Sequence, residues 1–337
     1  MPQTMGMVAV RPRQASGVPA WPSVILCIPT FRRPEGLEKL LTHVGALTYK
    51  GPLSVVVVEN DEERRAGAAV VARLAPTFRF ELASVDEPRR GQTYAYNRGF
   101  VTAARAFPRP DYIAILDDDE YPDPAWLTRM VTTASSLDAD IVGGPVLPVF
   151  DDPHHWLAKS GLYAPRRFAS GRVDMIYGAG SMLAKRSVIE GYLDEPFSHA
   201  FAFTGGSDLE FFERCRRDGR SFAWADTALV FETTPRSRTT LTWLLRRNFR
   251  KGSERARIDR ASSPRATSVS STSAASARMY KFILRFGRGL ALVAVGALSL
   301  PFAALGGRSA VVSGLNRIAR GAGRIAAEFN LFYDEYG

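Results

Sequence analysis

The stretch YIAILDDDE, residues 112–120, places five apolar residues directly before four acidic ones. A short and nearly continuous apolar run is typical of a strand that is buried on both faces of a parallel sheet. Its acidic continuation would lie at the carboxyl edge of that sheet, where open α/β folds bind ligands. Like charges this close repel one another, and a bound cation relieves the repulsion. A solvated acidic turn that caps the next helix remains the alternative on this motif alone.

The chain before this stretch repeats the same alternation. Apolar runs at residues 23–29 and 53–58 predict two further buried strands. Two helices are predicted between the predicted strands. The apolar residues of 37–44 recur at helical spacing, and residues 93–107 are rich in Ala with other apolar residues among them. Because strand and helix alternate, we expect an α/β domain with a mostly parallel sheet.

The second half is less regular. A strand is predicted over residues 141–149, and a helix is predicted to begin around Asp208 and to stop at Gly219. A second helix is predicted over residues 240–257. The Ser-, Ala- and Thr-rich residues 259–278 show no periodicity and indicate a linker or exposed loop.

The positive charge, +10 over the chain, is confined to the C-terminal part. Residues 245–337 hold 16 Lys and Arg against 5 Asp and Glu, whereas residues 1–244 hold 28 against 29. A nucleic-acid binder normally carries basic residues on its folded reading surface, so no nucleic-acid partner is expected. Here the basic residues flank the uncharged stretch 289–305, which points to an anionic membrane surface. At 17 residues that stretch is short for a span of roughly 20. An interfacial segment, a true span and a buried core helix all remain open.

Two cysteines, Cys27 and Cys215, provide neither a disulfide framework nor a metal-ligand spacing, so a reduced compartment is expected. The first 22 residues contain no continuous apolar stretch and indicate a disordered leader rather than a secretory signal. The expected organisation is a leader at 1–22, a catalytic domain at 23–258, a linker at 259–278 and an apolar, basic helical region at 279–337.

Residues 24–257 resemble the family 2 glycosyltransferases with the GT-A fold. The sequences of the acidic motif and of Gly205–Asp208 look most like those of one subgroup, the succinoglycan-type glucosyltransferases of bacterial exopolysaccharide assembly. The matching pieces occur in the order of the family: Cys27–Arg33, Val57–Asp61, Gly91 with Tyr96–Gly99, Leu116–Glu120 with Pro122 and Trp126-Leu127, Gly205–Asp208, and Trp243 with Arg246, Arg247, Arg250, Lys251 and Gly252.

The resemblance implies a Rossmann-like, mostly parallel central sheet with flanking helices, followed here by a C-terminal helical and partly apolar appendage. It implies that Asp119 binds a divalent metal, Mg²⁺ or Mn²⁺, and that Asp208 is the catalytic base. The residues implied to line the nucleotide-sugar site are Pro29, Thr30, Arg32, Asp61, Arg90, Asp117, Arg247 and Arg250.

Structural interpretations stand beside these roles. Thr30 can serve as a helix N-cap before Pro34, and Asp118 as a solvated or structural acid. Asp208 can simply favour the helix dipole. The arginines that follow Trp243 can form a solvated or membrane-facing surface. Ser207 stands where the family usually has Glu, which leaves the acceptor contacts open.

We therefore expect an inverting glycosyltransferase that moves a sugar from a nucleotide-diphosphate sugar, by the subgroup resemblance a UDP-sugar, to an acceptor hydroxyl. The acceptor would be lipid-linked or an oligosaccharide. The enzyme would work at the cytoplasmic face of the inner membrane, peripheral or anchored by its C-terminal region. One alternative is a nucleotidyltransferase, which usually carries a Gly-rich loop where this chain has Pro-Thr-Phe-Arg-Arg at 29–33. The other is a non-catalytic sugar- or lipid-binding adaptor, against which the presence of both Asp119 and Asp208 counts.

Overall fold

The strand at Val24–Thr30, β1, is buried along all seven residues. Leu26 and Ile28 pack into one apolar core, while Ile25 and Cys27 pack into a second core. Alternate side chains of a strand point to opposite faces of its sheet, so both faces are covered, as a continuous apolar run predicts. The first predicted strand is thus confirmed, displaced by one residue.

The computed structural model describes residues 21–106, 108–261, 271–303 and 305–331. The predicted leader therefore lies almost wholly outside the described residues. These residues form two compact units. The first takes in the chain up to Pro148 with Pro165–Ala202 and Ser207–Thr233, and the second takes in Val149–Ala164, Phe203–Gly206 and the chain from Thr234 onward.

The strands that follow β1 in the described residues are mostly short. They are β2 Leu53–Glu59, β3 Glu81–Asp86, β4 Tyr112–Ile115, β5 Glu120–Pro122, β6 Ile141–Gly143, β7 Val146–Phe150, β8 Gly171–Val173, β9 Met182–Lys185, β10 Phe222–Trp224 and β11 Val230–Thr234.

The helices in the described residues are α1 Pro34–Gly45, α2 Ala66–Leu74, α3 Gln92–Ala104, α4 Trp126–Ser136, α5 Trp156–Lys159, α6 Arg186–Glu190, α7 Ser207–Arg217, α8 Leu241–Ala261, α9 Ser271–Ala303 and α10 Arg308–Glu328, with single 3₁₀ turns at Ala75–Thr77, His199–Phe201 and Arg236–Arg238. Four of these helices, α1, α3, α7 and α8, lie where helices are predicted at 37–44, 93–107, 208–219 and 240–257.

The central sheet has eight strands in the order β3-β2-β1-β4-β9-β6-β10-β8. Four neighbouring pairs are parallel, namely β2–β3, β1–β2, β1–β4 and β6–β10. The other three are antiparallel. The predicted α/β class with a parallel-rich sheet is thereby confirmed. The chain moves outward from β1 to β2 and β3, and then returns to place β4 on the other side of β1. Such a reversal of strand order is where open α/β sheets bind ligands.

The strand predicted over residues 141–149 is in fact two strands in different sheets. β6 belongs to the central sheet, whereas β7 belongs to a three-stranded sheet with the order β5-β11-β7. Gly144 and Pro145 separate them. A Cβ at Gly144 would lie 2.6 Å from the carbonyl oxygen of Ala228, and Pro145 has no N–H to continue a ladder. The apolar pattern alone contains no mark of this change of sheet.

The second unit contains the predicted C-terminal helical appendage. α8 continues through Ala261 and α9 begins at Ser271, so both ends of the predicted 259–278 linker are helical, and residues 262–270 lie outside the described part. The predicted helix at 240–257 is confirmed and longer than expected. The domain boundaries at 22, 258 and 278 stay predictions.

Candidate active site

The end of β1 is joined to the acidic segment that follows β4. The hydroxyl of Thr30 donates a 2.9 Å hydrogen bond to Asp118, and the backbone N–H of Phe31 donates to the same carboxylate oxygen at 3.3 Å. Arg33 Nη1 donates to the second oxygen at 2.9 Å. Asp118 is only 7% exposed. Both oxygens of this carboxylate are therefore bonded to protein groups, which agrees with the structural interpretation of Asp118.

Thr30 does not cap the first helix. α1 begins at Pro34 with Arg33 in the N-cap position, and no side chain caps it. The N-cap interpretation of Thr30 is therefore wrong, because its hydroxyl is engaged by Asp118. Pro34 does occupy the first helical position, where its missing N–H costs nothing.

Asp117 lies in a set of buried acids. Its carboxylate accepts a short hydrogen bond from the hydroxyl of Tyr96, and its backbone N–H donates to Glu120 at 2.9 Å. Burial, together with the nearby charge of Asp119, raises the pKa of Asp117 to about 8. Burial and the charge of Asp117 likewise raise the pKa of Glu120 well above its ordinary value. This part of the sheet edge thus concentrates acidic groups whose burial disfavours their charged forms.

Glu120 also explains the glycine at position 180. A Cβ at Gly180 would lie 2.9 Å from the carboxyl carbon of Glu120 and would overlap one of its oxygens. Only glycine leaves room for this buried carboxyl. Gly180 therefore shapes the acidic cluster although it contributes no side chain to it.

Asp119 is the more accessible of the neighbouring acids. Its side chain is 20% exposed, against 9% for that of Asp118, and it accepts a 2.8 Å hydrogen bond from Arg33 Nη1. The backbone carbonyl of Asp119 accepts from the N–H of Thr233 at 2.9 Å. One arginine therefore bridges two adjacent carboxylates at this edge.

Glu232 is a further acid at the site that the sequence interpretation missed. It stands opposite Glu120 in the antiparallel pair of β5 and β11. Its charge adds to the rise in the pKa of both Asp117 and Glu120. The strand Val230–Thr234 is short and carries no motif, so only the pairing of strands reveals this position.

Arg32 and Asp61 are joined across the ends of β1 and β2. Arg32 adopts a left-handed conformation with φ of 56°. Its guanidinium donates to both carboxylate oxygens of Asp61, at 2.7 and 3.3 Å. This hydrogen bonding holds the pKa of Asp61 below its ordinary value. The guanidinium groups of Arg32 and Arg90 lie 4.9 and 5.3 Å from the centre of the Phe31 ring. The predicted residues Arg32, Asp61 and Arg90 are therefore brought together.

Glu59 and Asn60 hold the backbone around this group. Glu59 accepts from the N–H of Asp61 at 2.9 Å and from that of Ala68 at 3.0 Å, so both its oxygens serve the backbone. Asn60 donates to the carbonyls of Glu87 and Arg89 and accepts from the N–H of Gly91. Asp61, rather than Glu59, is thus the acid that pairs with Arg32 at this edge, and Asn60 fixes the loop that carries Arg90. The predicted residue Pro29 lies buried within β1, opposite Val58 of β2.

Asp208 is the second residue of α7, as predicted, and is half-buried. One of its oxygens accepts from the N–H of Leu209 at 2.8 Å. Burial and the charge of Asp117 raise the pKa of Tyr96, and the charge of Asp208 adds to the rise. Tyr96 therefore lies near both Asp117 and Asp208. Ser207 is buried, with 8% exposure.

Arg247 and Arg250 lie on α8 in the second unit. Arg250 forms an ion pair with Glu254 at 3.0 Å, and Arg247 lies 5.0 Å from the centre of the Trp243 ring. Within the described residues, no three His, Cys, Asp or Glu side chains converge in a geometry that could hold a metal ion. The metal role of Asp119 and the donor role of the two arginines stay predictions.

Known proteins share this sequence pattern. The sequence profile described as "Glycosyl transferase family 2" matches residues 25–193. "Succinoglycan biosynthesis protein ExoM" from Rhizobium meliloti (strain 1021) is 30% identical over 233 residues, which cover 68% of this chain and 72% of that protein. Asp208 lies beyond the profile match.

Two relatives come from Haloferax volcanii. "Glycosyltransferase AglE" is 32% identical over 127 residues, 37% of this chain and 40% of that protein. "Glucosyl-dolichyl phosphate glucuronosyltransferase" is 27% identical over 151 residues, 43% of this chain and 42% of that protein. This chain thus spans about two fifths of the length of each haloarchaeal relative.

Proposed function

Because the chain belongs to glycosyl transferase family 2 and is therefore a glycosyltransferase, we propose that it transfers a sugar from a nucleotide-diphosphate sugar to an acceptor hydroxyl with inversion at the anomeric carbon. The donor is a UDP-sugar in this proposal. The observation that carries it is the acidic cluster of Asp117, Asp119 and Glu120 at the switch point of the sheet, with Asp208 near Tyr96. Membership of this family argues against the alternative that the chain is a nucleotidyltransferase.

The nucleotide would bind over the ends of β1 and β2. Arg32 and Arg90 flank the ring of Phe31, and Asp61 lies beside them with its backbone fixed by Glu59. We assign Pro29 and Thr30 to the floor of this region. Thr30 would act through Asp118, since its hydroxyl is already engaged there. Asp117 would approach the ribose, and Arg247 and Arg250 would bind the diphosphate.

The metal would be Mg²⁺ or Mn²⁺, held by Asp119. The residues fit, because carboxylate oxygens are the ligands these ions prefer, and Asp119 keeps more exposure than Asp118. Burial, and then the charge of Asp119, raise the pKa of Asp117, and a bound cation would favour the charged form of this acid. A bound divalent cation supplies the charge that offsets the departing diphosphate.

Asp208 would act as the base. Its carboxylate takes the proton of the acceptor hydroxyl as that oxygen forms a bond to the anomeric carbon, and the bond from that carbon to the diphosphate oxygen breaks on the opposite face. The nucleoside diphosphate leaves with the bonding electrons. Asp208 is half-buried rather than fully enclosed.

The acceptor would be lipid-linked or an oligosaccharide in polysaccharide or glycolipid assembly. The ExoM relative is named for succinoglycan biosynthesis, and one haloarchaeal relative is named for a dolichyl phosphate-linked sugar. The reaction would take place at the cytoplasmic face of the membrane. In the described part, Met279–Ala303 is long and apolar enough to cross a membrane by length and composition, and 11% of its most apolar window is buried.

The proposal is tested by measuring nucleoside diphosphate release from a panel of UDP-, GDP- and dTDP-sugars, with a glycolipid extract as acceptor and with or without EDTA. We expect metal-dependent release from one UDP-sugar and a product whose anomeric configuration, read by NMR, is opposite to that of the donor. Retention of configuration would overturn the mechanism. Release that EDTA leaves unchanged would overturn the metal assignment.

A further inference from the structure

α9 exposes an apolar face along most of its length. The face includes Tyr280, Ile283, Val295, Leu298 and Phe302, which are 54–77% exposed. They lie on one side of the helix, in two groups separated by about three turns. An exposed apolar face of this kind marks an interaction surface. The 25 residues of the apolar segment extend about 37 Å, enough to cross a bilayer core of about 30 Å.

The opposite face of α9 is covered by α10 through glycines. A Cβ at Gly289 would lie 3.2 Å from the carbonyl of Gly321, and one at Gly296 would lie 2.9 Å from that of Gly314. The two backbones are thus in direct contact, and α10 runs back along α9. If α9 enters a membrane, α10 must therefore enter it to the same depth.

α10 also packs closely against α8, through hydrogen bonds and a glycine. Ser253 donates a 2.9 Å hydrogen bond to the carbonyl of Gly323, and Arg320 donates to Asn248 at 2.7 Å. A Cβ at Gly323 would overlap the carbonyl of Phe249. The three helices therefore form one packed layer, in which α9 is the outer member.

Buried ion pairs lock one end of this layer. The side chain of Glu328, 1% exposed, accepts from Arg285 of α9 at 2.8 Å and from Arg260 of α8 at 3.4 Å. Asp259 of α8 pairs with Arg324 of α10. These pairs lie at the end away from the 305–307 turn, so a crossing by residues 289–303 would instead carry Arg317 and Arg320 of α10, which lie beside this stretch, into hydrocarbon. Each charged residue at the centre of a bilayer costs about 2.5–3.5 kcal/mol or more.

We propose that the α9–α10 hairpin is an in-plane anchor that lies parallel to the surface of an anionic bilayer and does not cross it. The exposed face of α9 would sink about 5–10 Å into the boundary between headgroups and acyl chains. The turn at 305–307 would stay on the side from which the protein binds. This inference specifies the membrane association within the proposed function and rests on that part of it alone.

The charge of the segment favours an anionic bilayer over a second copy of the chain. Residues 245–337 hold 16 basic and 5 acidic residues. Arg288, 65% exposed on α9, can extend its head toward lipid phosphates while its stem stays among apolar side chains. A second copy would bring the same positive charge against this surface, whereas anionic headgroups neutralise it.

Binding is tested with the full chain and preformed vesicles of phosphatidylcholine alone or with phosphatidylglycerol. We expect flotation with the anionic vesicles, weakened by salt. The double change Leu298→Glu with Phe302→Glu should reduce vesicle affinity at least about tenfold, because it removes two large apolar side chains from the buried face. Val149→Glu, on a residue 39% exposed outside this face, is the matched control and should bind normally.

The orientation is tested by labelling Leu305→Cys, at a position 91% exposed, with the fluorophore NBD. The native Cys27 and Cys215 are buried, and burial raises the pKa of each to about 12, so the wild-type chain gives the labelling background. Dithionite added outside intact vesicles should quench the label at position 305. A label at Val295→Cys should instead shift its emission to the blue.

Three results would overturn the in-plane arrangement. A label at 305 that resists dithionite until detergent is added would show that α9 crosses the bilayer. A concentration-dependent dimer in light scattering, lost in the Leu298 and Phe302 double variant, would show that a second copy covers the face. An absence of vesicle binding would rule out the membrane role. The proposed transferase activity would then still be tested separately, by release of nucleoside diphosphate with a soluble acceptor.

Discussion

The hydroxyl of Thr30 lies 2.9 Å from the carboxylate of Asp118, a contact between residues 88 positions apart. It ties the carboxyl end of β1 to the acidic segment that follows β4. With both oxygens of Asp118 engaged by Thr30, Phe31 and Arg33, this acid has a structural use. The ligand roles are therefore assigned to its neighbours Asp117 and Asp119 in the proposal.

We expect Thr30→Val to lower the free energy of unfolding by about 1–3 kcal/mol, because a buried carboxylate loses a hydrogen-bond donor. Urea unfolding monitored by circular dichroism measures the change. Thr42→Val is the matched control, since the exposed Thr42 hydroxyl bonds only to the carbonyl of Glu38 in its own helix. Equal losses in the two variants would show that the contact with Asp118 adds nothing.

Asp119→Ala should abolish transfer and remove the metal dependence of donor binding, because the diphosphate charge is then left uncompensated. Calorimetric titration of the donor with and without Mn²⁺ reads both effects. Asp86→Ala removes an exposed acid, paired with Arg65 on the surface, and should leave the titration unchanged. Unaltered donor affinity and metal dependence in the Asp119 variant would refute the assignment.

Much of the first unit could be predicted from sequence because three of its central strands, β1, β2 and β4, are nearly continuous apolar runs. Apolar residues at successive positions of these strands predict burial on both faces of the sheet. The apolar residues of 37–44 recur at the spacing of an α-helix. Predictions were less complete where chain direction changes within an apolar run. Gly144 and Pro145 interrupt the expected strand because of a close carbonyl and a missing N–H, which hydrophobicity does not record.

The candidate site was predictable where residues follow a strand directly. Asp117, Asp119 and Asp61 come at strand ends, and parallel neighbours bring those ends to one edge. Glu232 could not be found this way, because the β5–β11 pairing that places it is antiparallel and joins distant parts of the chain. The N-cap pattern misplaced Thr30, since a local motif does not reveal a distant acceptor such as Asp118.

In the metal-free protein, stability should fall as pH rises toward 8. Asp117 has a folded-state pKa of about 8, well above its unfolded value. Between about pH 4 and 8 the folded state therefore holds a proton that the unfolded chain releases. The free energy of unfolding then declines by at most about 1.4 kcal/mol per pH unit from this group. Thermal unfolding from pH 5 to 8 measures the decline.

Asp117→Asn should flatten this pH dependence, and excess Mg²⁺ should weaken it in the wild-type chain. Asp138→Asn alters an acid whose side chain is 89% exposed and should keep the wild-type slope. A slope that persists in the Asp117 variant would assign the proton to another group. Glu120 is the first alternative, because burial raises its pKa as well.

Glu328→Gln should loosen the α9–α10 hairpin. The change leaves Arg285, 13% exposed, without its buried counter-charge, and breaking a buried pair costs about 3–5 kcal/mol. Hydrogen exchange should show faster opening of α10, with the first unit unaffected. Glu38→Gln breaks a solvent-exposed pair with Arg73 and is expected to have little effect. Unchanged exchange in α10 would show that glycine packing alone holds the hairpin.

Asp208→Asn tests the chemical step most directly. The amide keeps the shape of the carboxylate and can still accept from the N–H of Leu209, but it cannot take a proton. Donor and metal binding should therefore stay close to normal while turnover falls. A positioned base contributes about 10²–10⁴ in rate, so kcat should drop by at least that order, measured as nucleoside diphosphate release at saturating donor.

The neighbouring residue supplies the control for this measurement. Ser207 is buried, stands where the family usually has Glu, and has no carboxylate to accept a proton. Ser207→Ala should therefore change the KM for acceptor more than kcat. If Ser207→Ala matched the loss in Asp208→Asn, the acceptor contact would lie one residue earlier. If Asp208→Asn kept more than roughly a tenth of the wild-type rate, against the loss expected for a base, another group would take the proton. Glu232, which the β5–β11 pairing brings to the acidic cluster, would be the next residue to test.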